Sequence, residues 1–138
     1  MKIIFSKFLS YLYRGLTYIR TSLRLLLVNR SFLVITVITV FLNILNWVGV
    51  YFLVKAVGTN LAVLHYNVVF GVDLVGDASQ FYNVPFFGLV TIIINVLLAG
   101  LLNKNNEKLA ATIFLVLATI INVFCLTALY FSYIINFS

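Results

Sequence analysis

Three uninterrupted apolar runs constrain this chain more than any other feature. They cover residues 31–54, 85–102 and 109–135, and the first holds 24 residues without a charged side chain. A helix of that length measures about 36 Å, enough to cross the hydrocarbon core of a bilayer with some tilt. With 64% hydrophobic and only 9% charged residues, the chain lies outside the range of soluble domains. The sequence predicts one all-α integral membrane domain, residues 1–138, with three transmembrane helices.

Residues 1–30 predict an amphipathic helix that lies in the membrane interface before the first span. Its predicted polar face comprises Lys2, Ser6, Lys7, Ser10, Arg14, Thr17, Arg20, Thr21 and Arg24. Its predicted apolar face comprises Ile4, Phe5, Phe8, Leu9, Leu12, Leu16, Ile19, Leu23 and Leu26. A basic face opposite an aliphatic and aromatic face is typical of an interfacial helix, so anionic lipid is the expected partner. A helix packed on another subunit would show the same pattern, and this alternative stays open.

Two other interpretations of the basic N-terminal segment have less support. A secretory signal peptide would end in a small-residue cleavage site, whereas here the apolar stretch is closed by Asn29-Arg30, so we expect no cleavage. The net charge of +6 could indicate nucleic acid. We expect no nucleic-acid partner, however, because the basic residues lie beside apolar helices rather than on a soluble face.

The distribution of charge predicts how the chain sits in the membrane. Eight of the nine basic residues lie in the N-terminal segment and in the short polar loop 103–108. Lys55, Asp73 and Asp77 lie in the other loop, residues 55–84. Because Lys and Arg accumulate in cytoplasmic loops, the N-terminus and 103–108 are predicted to be cytoplasmic. The chain is thus predicted to be a multi-pass protein of the cell (plasma) membrane, with 55–84 and the C-terminus outside.

Each predicted span carries asparagine near its middle: Asn43 and Asn46, then Asn95, then Asn122. A carboxamide in hydrocarbon needs hydrogen-bond partners, so we predict that these residues face inward, meet at one depth and join the helices. The alternative is a polar pore or solute site at mid-membrane. It has less support because no span contains Asp, Glu, Lys, Arg or His, and three helices leave little room for a conduit unless copies oligomerise.

The loop 55–84 is too apolar to extend into water, so we expect it to fold back over the helix ends. Gly58-Thr59-Asn60 ends the first helix, and an extended strand follows. Gly71-Val72-Asp73 is the predicted turn and Leu74-Val75 a short returning strand, which together give a short β-hairpin. Alternation places Leu64, Tyr66, Val68 and Phe70 on one strand face, with His65 and Asn67 on the other.

Most polar residues of this loop have a structural interpretation. His65 and Asn67 are predicted to bond loop backbone, and Asp73 to sit in the turn. Asp77 and Gln80 have capping-box spacing, which predicts a short helical turn over 78–83 before the Pro-led second span.

The same loop carries a motif that resembles a known family. His65-Tyr66-Asn67 is followed by Gly71, Asp73 and Gly76 and then by an apolar span that begins with Pro. This order resembles a family of bacterial membrane domains of unknown function, in which a His-aromatic-Asn, Gly, Asp, Gly motif lies between the first two spans. Some members are associated with immunity to a sporulation-delaying toxin and with signalling. The overall layout also resembles three-span proteins of reduced-genome bacteria. The resemblance implies a related fold and a possible binding site at these residues.

The residue inventory argues against catalysis. His65, Asp73 and Asp77 are the minimum set for a metal site, but the chain has no second His, no recognisable nucleophile motif and no phosphate-binding loop. We therefore expect no enzyme activity, no cofactor and no metal. The leading hypothesis is a non-enzymatic binding, accessory or immunity-type protein that binds or protects another membrane component, such as a membrane protein, through the outer loop or the lipid-exposed helix faces. The alternative is a small-solute transporter or channel formed by a homo-oligomer.

Overall fold

The computed structural model describes residues 2–58, 61–67, 69 and 71–137, with side chains described from residue 9 onward. The predicted helix break at Thr59 and Asn60, and the strand positions Val68 and Phe70, lie outside the described residues. The described chain is mostly helical. Its elements are α1 (Lys2–Val28), α2 (Arg30–Val57), β1 (Leu61–Asn67), β2 (Gly71–Asp77), a 3-10 helix (Ala78–Tyr82), α3 (Asn83–Lys104) and α4 (Lys108–Phe137).

Helices α2, α3 and α4 are each long and apolar enough to cross a membrane, as judged by length and composition. They match the predicted runs 31–54, 85–102 and 109–135, and each extends them by one to three residues at either end. The extensions carry polar and charged residues, because backbone hydrogen bonding continues a helix past the point where its apolar composition stops.

Buried residues on the three long helices recur at alternating intervals of three and four. On α2 they are Phe32, Thr39, Asn43, Asn46, Val50, Leu53 and Val57. On α3 they include Pro85, Gly88, Ile92, Asn95 and Ala99, and on α4 they are Ala111, Leu115, Ala118, Asn122, Cys125 and Leu129. This spacing is that of a heptad seam, and its small residues allow the backbones to approach closely.

Helix α1 packs against α3 through a narrow line of its surface. Ser22 and Leu26 are buried, and a Cβ atom at Gly100 of α3 would lie 3.4 Å from the backbone of Ser22. The Nζ of Lys104 lies 3.0 Å from the centroid of the Tyr18 ring. Of the predicted apolar face, Leu26 is buried in this contact, whereas Leu9, Leu12, Leu16 and Ile19 are exposed to the surroundings. The N-terminal helix therefore contacts its own chain while leaving most of its apolar face uncovered.

Short breaks separate the long helices from their neighbours. Asn29 alone is non-helical between α1 and α2, and its side-chain oxygen accepts a hydrogen bond from the Ser31 N–H over 3.1 Å. Gly58 ends α2 at a φ of 67°, a conformation that favours glycine. Asn106, also at a positive φ of 66°, turns the chain between α3 and α4. These breaks place the α3–α4 connection at one end of the bundle and the hairpin at the other.

The predicted β-hairpin is present, but its turn lies earlier than expected. Strands β1 and β2 are antiparallel, and Asn67 is paired with Gly71, so the chain reverses between these two residues. The prediction that Gly71-Val72-Asp73 forms the turn is therefore wrong. Val69 lies in the turn, and its apolar character concealed this, whereas Gly71, at a φ of 78°, begins the returning strand. The predicted helical turn over 78–83 is confirmed as the 3-10 helix.

Candidate functional site

The hairpin sits on the ends of the long helices through a continuous apolar cluster. Ala62 of β1 is buried with Val57 of α2 and Phe81 of the 3-10 helix, and Leu64 packs against the same cluster. The other members are Val50, Leu53, Ala78 and Leu129. Burial of these side chains removes apolar surface from water and holds the base of the hairpin against the bundle. The expectation that this loop folds back over the helix ends is confirmed.

Asn136 of α4 binds the edge of β1 that faces away from β2. Its Oδ1 accepts a hydrogen bond from the Val63 N–H over 2.8 Å, and its Nδ2 donates to the Val63 C=O over 3.0 Å. One carboxamide therefore makes the two hydrogen bonds that a residue of a neighbouring strand would make. The edge of β1 is thereby closed at this position. Sequence reasoning missed Asn136, since an asparagine near the end of an apolar run carries no local sign of a partner 73 residues away.

His65 and Asp73 meet on the exposed part of the hairpin. The Nδ1 of His65 lies 2.7 Å from the Oδ1 of Asp73, and the two side chains are 62% and 41% exposed. The predictions that His65 bonds loop backbone and that Asp73 sits in the turn are therefore wrong. The strand register skips Leu64 on β1 and Asp73 on β2, and these irregularities bring the two polar side chains together.

The irregular register also divides the predicted apolar face of the first strand. Leu64 is half-buried in the apolar cluster, whereas Tyr66 is 46% exposed. Asn67 bonds loop backbone as predicted, because its Oδ1 accepts from the Val69 N–H over 2.8 Å. Strict alternation fails here because an extra residue on each strand interrupts the twofold repeat of side-chain directions.

Gly76 and Asp77 join the hairpin to the bundle. A Cβ atom at Gly76 would lie 2.7 Å from the Cδ1 of Leu64. Because Gly76 has no side chain, the Leu64 side chain can pack against the backbone of β2. Asp77 caps the 3-10 helix, as predicted, by accepting a hydrogen bond from the Ser79 N–H over 2.7 Å. This backbone hydrogen bond, reinforced by the Ser79 side chain, lowers the pKa of Asp77 below its usual value of 3.8.

Most side chains of the hairpin beyond its base are apolar and exposed. We define the hairpin apolar surface by its exposed members, Leu61, Tyr66, Val69, Val72, Leu74 and Val75. Their exposed fractions run from 46% at Tyr66 to 80% at Val69. Exposed apolar residues that cluster in this way mark an interaction surface more often than singly scattered ones do. Of the predicted site residues, the structure therefore groups His65, Tyr66 and Asp73 on the exposed side of the hairpin.

Three of the four predicted intramembrane asparagines form a cluster inside the bundle. Asn43 of α2 donates from Nδ2 to the Oδ1 of Asn122 on α4 and to the C=O of Pro85 on α3, each over 3.0 Å. Asn46 donates from Nδ2 to the backbone C=O of Asn122 over 3.0 Å. The amide of Asn122 is fully buried. Hydrogen bonds of this kind join helices where lipid offers no partner.

Asn95 is buried but does not join the cluster. Its Nδ2 donates to the C=O of Thr91 in its own helix over 2.8 Å. The prediction that all four asparagines meet at one depth is therefore wrong for Asn95, because the α3 residues that contact Asn43 and Asn122 are Pro85 and Gly88, earlier on that helix. The Oδ1 of Asn46 is also notable, since it is buried and has no hydrogen-bond partner among the described residues.

Gly88 makes room for the asparagine cluster. A Cβ atom at this position would lie 2.7 Å from the Oδ1 of Asn122 and 2.8 Å from the Nδ2 of Asn43. The C=O of Gly88 also accepts a longer hydrogen bond, 3.4 Å, from the Nδ2 of Asn122. Sequence reasoning did not identify this role of Gly88. The available sequence signal was its spacing of three residues from Pro85, whose C=O is the other α3 contact of the cluster.

The described part of the chain holds no group of three or more His, Cys, Asp and Glu side chains. His65 and Asp73 form a pair rather than a ligand set, and Asp77 is engaged in its cap. The hairpin can present hydrogen-bonding groups, apolar side chains and a small negative charge to a partner.

Comparisons with known proteins identify no family for this chain. No protein-family model, curated protein or solved structure matches the chain.

Proposed function

We propose that the protein is an integral membrane protein whose hairpin binds another membrane component. In this proposal α2, α3 and α4 span the cell membrane and the protein has no enzymatic activity of its own. One observation carries the proposal: the hairpin is attached to the bundle by its base and by Asn136, and it directs an apolar surface away from the bundle. Exposed apolar side chains that cluster, such as Val69 and Leu74 here, mark sites of interaction with a protein or a membrane.

The motif of the hairpin supports the same class of function. His65, Tyr66, Asn67, Gly71, Asp73 and Gly76 resemble the motif of the bacterial membrane domain family, and some members of that family are associated with toxin immunity. By that resemblance, the partner of this hairpin is a membrane-active peptide or a membrane protein. An immunity-type role requires only binding, which agrees with a site built from exposed apolar side chains and one polar pair.

The proposed orientation places the hairpin and the C-terminal end of α4 outside the cell. It rests on the basic residues of α1 and on Lys104 and Lys108, which flank the α3–α4 connection. A reporter enzyme that works only in the cytoplasm should be silent when fused after Ser138 and active when fused within the connection. Activity after Ser138 would reverse the orientation and place the hairpin in the cytoplasm.

Anionic lipid is the proposed partner of α1. Arg14, Arg20 and Arg24 are exposed, and the apolar side chains of α1 near them, such as Leu16, are exposed as well. This combination suits a helix at the level of the headgroups, with charge facing phosphate and aliphatic groups facing acyl chains. Replacing Arg20 and Arg24 by Gln should reduce the anionic lipid that co-purifies with the protein; unchanged lipid content would exclude this role.

A pull-down tests the binding role directly. The protein, extracted in mild detergent, should retain a membrane partner that the double variant His65→Ala, Asp73→Ala loses. A matched control, Thr127→Ala, alters an exposed α4 residue whose hydroxyl bonds only its own helix and should retain the partner. Loss of the partner from both variants, or from neither, would contradict a binding site at the hairpin.

An oligomeric transporter or channel is the second candidate. The buried Oδ1 of Asn46, which lacks a donor among the described residues, is the one observation that favours a polar path. Against it, Asn122 is enclosed by three helices of one chain and so does not face an axis between copies. Under this alternative, replacing Asn95 and Asn122 by Leu should abolish an ion flux while leaving the fold intact.

A further inference from the structure

The two edges of the hairpin differ in whether their outward backbone N–H and C=O groups have hydrogen-bond partners. Asn136 contacts both the N–H and the C=O of Val63, so these groups point toward α4 and away from β2. Val63 is paired with Val75 in the antiparallel register. In an antiparallel pair, both members of a non-hydrogen-bonded pair direct their backbone groups outward. The N–H and C=O of Val75 therefore point away from β1, along what we term the distal edge of β2.

The distal edge is open to a partner. The two-stranded sheet ends at β2, and no hydrogen bond within the described residues uses the outward groups of Val75. Val72, Leu74 and Val75 beside it are each about half exposed. Natural proteins protect sheet edges with Lys, Pro or a covering element, whereas the segment from Leu61 to Asp77 contains no Lys, Arg or Pro.

Charge distinguishes between the possible occupants of this edge. Asp73 and Asp77 are the only formally charged residues of the hairpin apart from a protonated His65. If two copies paired their β2 strands antiparallel about Val75, Asp73 of one copy would lie opposite Asp77 of the other. Like charges directly opposite each other destabilise a strand pair. The same two carboxylates would attract the Lys or Arg side chains of a strand from a different molecule.

We propose that the distal edge of β2 binds an extended, basic and apolar peptide segment by strand addition. The backbone of Val75 supplies a donor and an acceptor, the hairpin apolar surface contacts alternate side chains, and Asp73 and Asp77 face the basic ones. The proposal deepens the proposed binding role of the hairpin and rests on it. It assigns the partner a chemical class: a cationic segment that adopts β structure when it reaches the membrane surface.

Val75→Pro tests the backbone contact with little change to the hairpin. Proline removes the outward N–H, which makes no bond to β1, and edge strands tolerate it. The full chain is reconstituted in nanodiscs of zwitterionic lipid, which avoids non-specific attraction of cations. The probe is a short capped peptide of alternating Lys and Val. We expect Val75→Pro to weaken its binding about tenfold or more, while Val75→Thr, which keeps the N–H, retains it within about twofold.

Probe peptides test the same contact without changing the protein. A peptide N-methylated at every residue keeps its charges and side chains but has no N–H groups to share, and it should not bind. A Glu and Val peptide should also fail to bind. Replacing both Asp73 and Asp77 by Asn should weaken the Lys and Val peptide severalfold and flatten its salt dependence, because Asn preserves the cap and the contact with His65.

Protection of the Ala62 N–H from hydrogen exchange verifies that each variant keeps its hairpin, because Ala62 and Gly76 form the hydrogen-bonded pair next to Val63 and Val75. With that protection intact, equal binding by Val75→Pro, or binding of the N-methylated peptide, would overturn strand addition. A disulfide between copies of Val75→Cys, formed without added peptide, would overturn it in favour of a dimer. The pull-down separates the two proposals: a partner lost from the His65→Ala, Asp73→Ala variant but retained by Val75→Pro would uphold the binding role and reject the distal edge.

Discussion

The Nδ2 of Asn43 donates to the Oδ1 of Asn122 over 3.0 Å, and the same nitrogen donates to the C=O of Pro85 over 3.0 Å. A single amide group of α2 therefore bonds to both α3 and α4. Because Asn43 and Asn122 are buried, these bonds fix how far each helix slides along its neighbours.

A double-mutant cycle between Asn43→Ala and Asn122→Ala should give a coupling energy of about 0.6 kcal/mol, with an upper bound of about 2 kcal/mol. The coupling arises because each change removes one end of the same hydrogen bond. Unfolding in detergent or bicelles measures it. The matched cycle between Asn95→Ala and Asn122→Ala should give no coupling, since Asn95 bonds its own helix. Equal couplings in the two cycles would contradict the observed cluster.

Gly88→Ala should destabilise the bundle by about 1–3 kcal/mol, because its Cβ would overlap the amides of Asn43 and Asn122 and force them apart. Thermal unfolding in lipid would measure the loss. Gly49→Ala is the matched control, since the nearest heavy atom to its Cβ is the Cδ1 of Leu129 at 3.9 Å, an ordinary contact. The control should be neutral or slightly stabilising. A stable Gly88→Ala variant would mean that the amides are not packed against this glycine.

Asn136→Ala should detach the hairpin from α4 while leaving the three long helices in place. The N–H and C=O of Val63 would lose their partners, so exchange of the Val63 amide hydrogen should accelerate by about tenfold. Ser132→Ala, one turn earlier on α4, is the control, because its hydroxyl bonds only the C=O of Ala128. If both variants left the exchange rate of Val63 unchanged, the amide bridge would have no role in holding β1.

The cap at Asp77 should make the start of the 3-10 helix sensitive to acid. Hydrogen bonds from Ser79 lower the pKa of this carboxyl in the folded protein below 3.8. The cap therefore contributes its full stability above pH 3.8, and this contribution is lost as the pH falls through the lowered folded-state pKa. Titration followed by the NMR shift of the Ser79 amide should report this loss. Asp77→Asn should keep the cap but show no such titration.

The three long helices could be predicted from the sequence because length and apolar composition suffice for that purpose. Which face of each helix points inward could not be predicted from hydrophobicity, since residues that face lipid are as apolar as those that pack together. The informative signal was the spacing of the few polar and small residues. Asn43 and Asn46 were correctly predicted to face inward for this reason, and both are buried.

The hairpin shows where sequence reasoning stops. Its existence followed from a β-rich apolar segment with glycines, but its register depended on two extra residues, Leu64 and Asp73, that no local pattern reveals. The contact between His65 and Asp73 is a product of that register. The bridge from Asn136 to Val63 is equally invisible, because two residues so distant in the chain meet only after the bundle has formed.

The separation of 73 residues between Asn136 and Val63 also orders events during synthesis. At roughly 5–20 residues per second, a ribosome needs about 4–15 s to make the intervening chain. Throughout that interval Val63 has been synthesised, but Asn136, whose side chain binds the edge of β1, has not. The edge of β1 is therefore closed only after α4 has been completed and has packed beside the hairpin.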